Sequence, residues 1–593
     1  MSFGQVLSRE IRFLTGLLRT LGRVSSIKAT SKTLICDDLE AAVDRWSGRL
    51  AIRFEGRDMS YAALEALANR YAHWALAQDL GRGDIVALFM PNRSDYLPIW
   101  YGLSKVGVVT ALINNQLTGQ ALAHCINIAG AKHCLVDDET RPAFETAAGL
   151  LESQIEDWTL SETPQDQRGL GEAIANCSDK RPDRSLRNGM VARDTALLIY
   201  TSGTTGLPKA ARITHMRAQL YMRGFAGSTG AKSSDRIYIA LPLYHATGGL
   251  CATGAALLNG GSIVLRRRFS STQFWPEVSG EDCTMFVYIG ELGRYLVNQP
   301  QSNAPVAHKL RLAFGNGLRP DVWAQLESRF LIPQVMEFYG STEGNVSMFN
   351  FDGKLGAIGR IPPYLMTAFN VRLVRFDVET EQPVRGADGF CIECEPGEAG
   401  ECLGKIGADV RSDYTGYADK AASEKKVLGD VFAPGDRWFR SGDLLRRDKD
   451  GYFYFVDRIG DTFRWKGENV STGEVASILA QAPGVLDINV YGVPVPGAEG
   501  KAGMAALVVA EGFDIAAFAQ SAQLLPPYAQ PVFVRTLPEF ATTGTFKVRK
   551  MDLVADGFDP ARVGGPLWVK TEAGFEPITP ALFAQLSAGE LRI

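Results

Sequence analysis

From about residue 35 onward, apolar runs of strand length alternate with amphipathic stretches of helical period. Tyr61 to Ala77 predicts a helix, and Asp84 to Met90 a buried strand. Ser94 to Val106 predicts a second helix, with Pro98 tolerated in its first turn. Val108 to Ile113 predicts the next strand, ending at Asn114-Asn115. Repeated strand-then-helix order predicts layered α/β domains with largely parallel sheets. The strand-rich region before Asp457-Arg458-Ile459-Gly460-Asp461 ends in a glycine-containing turn, which predicts a boundary there. The expected organisation is an N-terminal segment 1–30, a large multi-sheet α/β domain 31–458 and a smaller α+β domain 459–593.

The N-terminal segment has its own pattern. At helical spacing, Val6, Leu7, Ile11, Phe13, Leu14, Leu17, Leu18, Leu21 and Val24 fall within an arc of about 160°, while Arg9, Arg12, Arg19 and Arg23 cluster opposite. A secretory signal fits poorly, because Arg19 splits the apolar stretch and no A-x-A cleavage site follows. The alternatives are a helix on an anionic membrane surface, a helix packed on the body, and an Arg-rich organelle presequence. Gly16 and Gly22 each weaken such a helix by about 1 kcal/mol relative to alanine.

Composition narrows the class. The 593 residues are 46% hydrophobic with a formal charge of -4, so large cores are affordable and no global charge argument favours nucleic acid. The best membrane-span candidate, Ile237 to Leu258, is interrupted by Pro242, His245 and Gly248-Gly249. Nine cysteines at irregular spacing predict reduced thiols in a cytosol-like compartment. Cys391-Ile392-Glu393-Cys394 lacks a fourth ligand at zinc spacing and predicts a short strand, and the pairs His124-Cys125 and His133-Cys134 predict buried structural residues.

The chemistry begins at Thr201-Ser202-Gly203-Thr204-Thr205-Gly206-Leu207-Pro208-Lys209, directly after the apolar run Ala196 to Tyr200. Glycines let backbone N–H groups turn toward an anion, hydroxyls add donors, and Lys209 adds a mobile charge. The pattern suits a polyphosphate, yet it is not a Walker loop.

At these residues the chain resembles the adenylate-forming superfamily of acyl-CoA synthetases, luciferases and peptide-synthetase adenylation domains. Phe338-Tyr339-Gly340-Ser341-Thr342-Glu343 resembles its second nucleotide motif. The resemblance places Tyr339 against adenine, Thr342 at the α-phosphate and Glu343 on magnesium, with Gly340 and Ser341 in the same loop. It also places Gly315-Asn316-Gly317 beside adenine, and Asp443 and Arg458 on the ribose hydroxyls. Three stretches, Tyr288 to Leu296, Phe314 to Trp323 and Arg458 to Thr472, resemble the fatty-acid transport protein / very-long-chain acyl-CoA synthetase branch. The resemblance implies a large adenylation domain followed by a mobile lid. Gly460 stands at the hinge, where many relatives carry Asp or Lys.

The implied reaction is carboxylate attack on the α-phosphate of ATP, followed by transfer of the acyl group from AMP to coenzyme A. The first step brings anion to anion, so it needs positive charge and oriented donors more than a general base. Lys547, in Thr543 to Lys550, matches the catalytic lysine, with Arg549 and Lys550 near enough to compete for the role. His245 alone reads as a structural residue; the resemblance places it at the acyl-carboxylate end. The expectation is an ATP- and Mg2+-dependent long- or very-long-chain fatty acid:CoA ligase, peripherally bound on the cytoplasmic side of a membrane, with coupling to fatty-acid uptake as an added role. The alternatives are a CoA or carrier-protein ligase for a bile or aryl acid, and a lipid-uptake membrane protein with little catalysis.

Overall fold

The structure is a computed structural model that describes residues 3–161, 169–201, 207–300, 307–498, 500–543, 548–572 and 574–590. The chain is mixed α/β with several sheets, and it divides into two compact units. The first is Met1–Arg360 with Lys405–Leu428, and the second is Ile361–Gly404 with Gly429–Ile593.

Two sheets organise the first unit. One has eight strands in the order Ser347–Phe349, Val335–Gly340, Leu312–Asn316, Met285–Ile289, Arg236–Ile239, Ser262–Leu265, Leu50–Phe54 and Arg57–Ser60. Its six central strands are parallel and the two outer ones antiparallel. The other runs Glu156–Leu160, His133–Asp137, Ile85–Phe89, Val109–Leu112, Thr195–Thr201 and Lys209–Thr214, parallel except at the last strand. The helices Tyr61–Ala77 and Tyr96–Lys105 lie where the apolar pattern puts them. Ser60 caps the first by accepting from the Ala63 N–H, and Trp74, Trp100 and Tyr101 are buried. Parallel strands buried on both faces read as continuous apolar runs, which is why these elements stand out in the sequence.

The N-terminal helix Phe3–Val24 packs on the helix His215–Ser228. Phe13, Gly16, Thr20 and Val24 form the packed face. A Cβ at Gly16 would lie 2.5 Å from the Phe351 ring, and one at Gly227 would lie 2.8 Å from Thr20 Cα. Gly16 is therefore a close-approach residue, and the expected cost to the helix is offset by contact. The charges also differ from expectation. Arg19 donates to the carbonyls of Gly227 and Ser228, Arg23 to Asn259 Oδ1 at 2.6 Å, and Arg9 pairs with Glu10 at 3.1 Å. Leu7, Ile11, Leu14 and Leu18 form an exposed stripe opposite the packed face, at 50, 55, 39 and 66% exposure. Among the described residues, no helix is long and apolar enough to cross a membrane.

In the second unit, five neighbouring strands run Tyr452–Arg458, Arg437–Arg447, Ala399–Lys405, Val371–Asp377 and Gln382–Pro383. A separate five-stranded sheet runs Val485–Pro494, Lys501–Val509, Phe533–Thr536, Leu567–Thr571 and Gly574–Pro577. The compact units do not divide at residue 458. Buried Asp457 accepts from the Thr472 N–H at 2.6 Å and from the Thr472 hydroxyl at 3.0 Å, tying the strand before the glycine turn to the helix after it. Gly460 has φ +91°, a conformation that suits glycine.

The cysteines are free thiols, as the spacing predicted. Burial pushes the Cys394 thiol up to about 12, and His133 Nδ1 accepts from the Trp158 indole at 3.1 Å. Among the described residues, no group of three or more His, Cys, Asp or Glu is placed to hold a metal.

Candidate active site

The nucleotide candidates of the first unit lie at the C-terminal ends of parallel strands, where open α/β sheets bind ligands. Gly315 and Asn316 end one strand, Tyr339 and Gly340 the next, and Tyr288-Ile289 the strand on the other side. The glycines permit close approach. A Cβ at Gly315 would sit 2.1 Å from the Tyr288 carbonyl oxygen, one at Gly290 would sit 1.8 Å from the Gly317 carbonyl oxygen, and Gly317 has φ +82°.

Glu337 holds this loop. Its carboxyl accepts from the N–H groups of Gly317 at 3.0 Å and Leu318 at 3.1 Å, and from the Tyr288 hydroxyl at 2.8 Å. The group is buried, and burial pushes it up to about 8 against the three donors. Glu337 was not among the sequence candidates, although it stands one residue before the Phe338 to Glu343 motif.

The motif loop itself is pinned from the helix His215–Ser228. The Tyr221 hydroxyl donates to the carbonyls of Ser341 at 3.0 Å and Thr342 at 3.1 Å, and Arg217 donates to the Gly344 carbonyl. The Gly344 N–H donates to Ser341 Oγ at 3.1 Å. These contacts fix the backbone that carries Thr342 and Glu343.

Thr201 and Lys209 face one another across an antiparallel pair, Thr195–Thr201 with Lys209–Thr214. Ser202, Gly203, Thr204, Thr205 and Gly206, between them, lie outside the described residues. A segment with no motif in the sequence completes the group. Residues 416–418 run beside the Lys209–Thr214 strand, with the Arg212 N–H donating to Gly416 at 3.1 Å and the Ala418 N–H to Ala210 at 2.8 Å. This delivers Tyr417, which is 6% exposed. Its hydroxyl donates to Glu343 Oε1 at 2.8 Å and shares a hydrogen bond with Thr201. The Lys209 ammonium lies 5.7 Å from its ring centroid. Burial and the Glu343 carboxylate push the Tyr417 phenol above its ordinary range, so it stays a donor. Tyr417 thus joins strand, lysine and carboxylate, and only its contacts reveal it.

His245 is half-buried in the turn after Leu241-Pro242, with its ring tilted against that of Tyr244, centroids 4.6 Å apart. Asn92 organises this turn, donating to the Leu241 carbonyl at 3.0 Å and accepting from the Leu243 N–H at 2.9 Å. A π-helix, Thr247–Ala252, follows, an element frequent at functional sites.

The second unit carries the remaining candidates. Asp443 and Arg458 are direct cross-strand partners, with Arg458 Nε 3.8 Å from Asp443 Oδ1. Lys547 lies outside the described residues. Its two competitors are engaged: Arg549 pairs with Asp552 at 3.0 Å, and Lys550 lies 3.3 Å from Asp461 and donates to Thr472 Oγ1 at 3.2 Å.

Comparison with known proteins follows the same lines. Residues 39–404 match the AMP-binding enzyme family, and residues 474–547 match the AMP-binding enzyme C-terminal domain. Long-chain fatty acid transport protein 6 of Mus musculus is 38% identical over 91% of this chain and 88% of its own length. Long-chain fatty acid transport protein 1 of Mus musculus is 37% identical over 99% and 92% respectively. The fold is similar to that of the anthranilate CoA ligase AuaEII in complex with anthranoyl-AMP, with TM-score 0.76 and 20% identity over 90% of this chain and 98% of that one.

Proposed function

Because the chain belongs to the AMP-binding enzyme family and, within it, to the long-chain fatty acid transport proteins, we propose that it is an ATP-dependent long- or very-long-chain fatty acid:CoA ligase working through an acyl-adenylate. The observation that carries the chemical reading is the meeting of Thr201, Lys209 and Glu343 at Tyr417. A strand end that leads into a hydroxyl loop, a lysine and a carboxylate suits a polyphosphate with its counter-ion.

Glu343 is a hard oxygen donor that stands without a protein cage around it among the described residues. That donor set fits a Mg2+ ion carried mainly by phosphates and water, which demands one or two carboxylates. When bound, Mg2+ would neutralise charge on the phosphates. Lys209 adds positive charge there, and the donors of residues 201–206 orient the α-phosphate for the incoming carboxylate. Glu337 keeps the Gly315-Asn316-Gly317 loop open for the base, with Tyr339 assigned to its face and Thr342 to the α-phosphate. Asp443 and Arg458 are assigned to the ribose, and His245 to the acyl carboxylate, without a proton-transfer role. Lys547 remains the candidate for the adenylating lysine, a choice supported by the engagement of Arg549 and Lys550 elsewhere.

A second reading concerns where the enzyme works. Four exposed aliphatic side chains in one stripe suit the acyl boundary of a bilayer, and a long-chain acid partitions into that phase. We place the stripe on the cytoplasmic side, where ATP and CoA are supplied. The chain-length question is answered by initial rates of acyl-CoA formation across acids of increasing length, with an aryl acid, a bile acid and an acyl-carrier protein as competitors. Long-chain acids with CoA should give the highest kcat/KM; preference for any competitor would overturn the substrate assignment.

A further inference from the structure

A polar cavity lies in the first unit where the interior strands Arg236–Ile239 and Ser262–Leu265 begin, at the strand ends opposite those that carry the candidate nucleotide loops. The strand Arg236–Ile239 starts beside it and runs away toward Pro242 and His245. The cavity has a volume of about 240 Å3. Arg23, Arg45, Trp46, Lys232, Ser233 and Asn259 line it, and no acidic side chain does so among the described residues.

Four separate segments supply these groups. Arg23 comes from the last turn of the N-terminal helix, and Arg45-Trp46 from the last turn of the helix Ile35–Trp46. Lys232-Ser233 comes from the turn before Arg236, and Asn259 follows the helix Thr253–Leu257. A basic residue in a last helical turn is favourable by itself, which accounts for Arg23 and Arg45 singly. It does not account for Lys232 or for the convergence.

The cations are also held in place. Asn259 Oδ1 accepts one N–H of Arg23 at 2.6 Å, which leaves the rest of the guanidinium fork for a ligand. Arg45 lies over the Trp46 ring at 4.9 Å, and a Cβ at Gly260 would sit 2.6 Å from that ring, so the indole is wedged.

The surroundings leave positive charge uncompensated. Arg49 donates to the carbonyls of Gly260 at 3.0 Å and Ser233, and Arg19 to those of Gly227 and Ser228. The carboxylate of this turn, Asp235, is taken by Arg311 at 2.6 Å and by the Thr284 hydroxyl at 2.8 Å. Arg19 is held below its ordinary range by burial and then by the Arg311 charge, a sign of crowded cations.

We propose that this cavity binds a phosphate group, through the guanidiniums of Arg23 and Arg45, the Lys232 ammonium and the Ser233 hydroxyl. Planar forks and a mobile ammonium together match a tetrahedral oxyanion. The phosphate comes either free, as a soluble monoester, or on a lipid headgroup, and the chemistry is shared.

The test uses the full chain. Binding of inorganic phosphate and of glycerol phosphate is measured by calorimetry at fixed ionic strength. Binding to phosphatidylcholine vesicles, with and without phosphatidic acid, is measured by flotation. Arg45→Gln and Lys232→Gln should each weaken binding roughly tenfold, the loss expected for a hydrogen bond to a charged group. Lys232→Arg should retain binding, and all three should keep wild-type acid-dependent pyrophosphate exchange. Loss confined to the soluble phosphates assigns a free ligand, and loss confined to phosphatidic acid vesicles assigns a headgroup. Phosphate binding equal in wild type and both glutamine variants would place it elsewhere and overturn the proposal, as would no binding in either arm.

Discussion

Replacing Tyr417 with phenylalanine removes one oxygen and leaves the ring. The ring still faces Lys209 at 5.7 Å and still packs with buried Ala211 and Ala422. What disappears is the donor to Glu343 Oε1 at 2.8 Å and the hydrogen bond with Thr201. A hydrogen bond to a charged group contributes about 1.5–3 kcal/mol. If that contribution is spent on holding Glu343, adenylation should fall about tenfold to a hundredfold, at about 1.4 kcal/mol per tenfold. The assay is acid-dependent ATP–pyrophosphate exchange across a Mg2+ titration. Tyr417→Phe should lower kcat and raise the Mg2+ concentration needed for half-maximal rate, with thermal stability nearly unchanged. Tyr417→Ala should lose more, because the ring leaves as well. Exchange by Tyr417→Phe at the wild-type rate and Mg2+ dependence would show that the Tyr417 hydroxyl does not hold Glu343 for catalysis.

Lys547→Ala should abolish adenylation from free acid yet spare thioesterification of supplied acyl-adenylate; equal loss of both half-reactions in folded protein would remove that role. Lys550→Ala should instead lower thermal stability, because buried Asp457 loses its nearby cation; an unchanged melting temperature would contradict this. Burial holds Glu337 at about 8 in the folded chain against an ordinary 4.5, so the fold binds this proton more tightly than the unfolded chain does. Its contribution is full below pH 4.5 and is lost as pH rises through 8, so wild type should lose stability across that window more steeply than Glu337→Gln, and parallel pH curves would be evidence against it. Changing Leu7, Ile11, Leu14 and Leu18 to serine should weaken vesicle binding by about 1 kcal/mol per side chain, because these four side chains are the exposed aliphatic stripe of the helix. Undiminished binding would exonerate the stripe, and activity on a short soluble acid reports that the packed face is intact.

The sequence is most informative where one segment decides its own structure. The helix Tyr61–Ala77 and the strand Thr195–Thr201 bury whole apolar runs, so their periodicity is visible without neighbours. Asp443 and Arg458, suggested only by resemblance, turn out to face one another on adjacent strands. What stayed hidden depends on distant partners. Tyr417 gains meaning from Thr201, Lys209 and Glu343, and nothing in Tyr414-Thr415-Gly416-Tyr417 announces them. Glu337 reads as an ordinary polar residue until strand pairing brings Gly315 beside it. In the N-terminal helix the apolar arc left membrane surface and protein body as alternatives; a small-residue seam at Gly16 and Gly227 seats Phe13 and Val24 on the body, while Leu7, Ile11, Leu14 and Leu18 of the same arc face outward.

In the proposed reaction this fold activates a fatty acid by adenylation. Purified protein should exchange pyrophosphate into ATP only when a long-chain fatty acid and Mg2+ are present, and should do so without CoA. Lys209→Ala and Glu343→Ala should each reduce that exchange about 10²-fold or more, because both lose stabilisation of a charged transition state. Absence of acid-dependent exchange in the folded wild-type protein, or near-normal exchange in both variants, would contradict it.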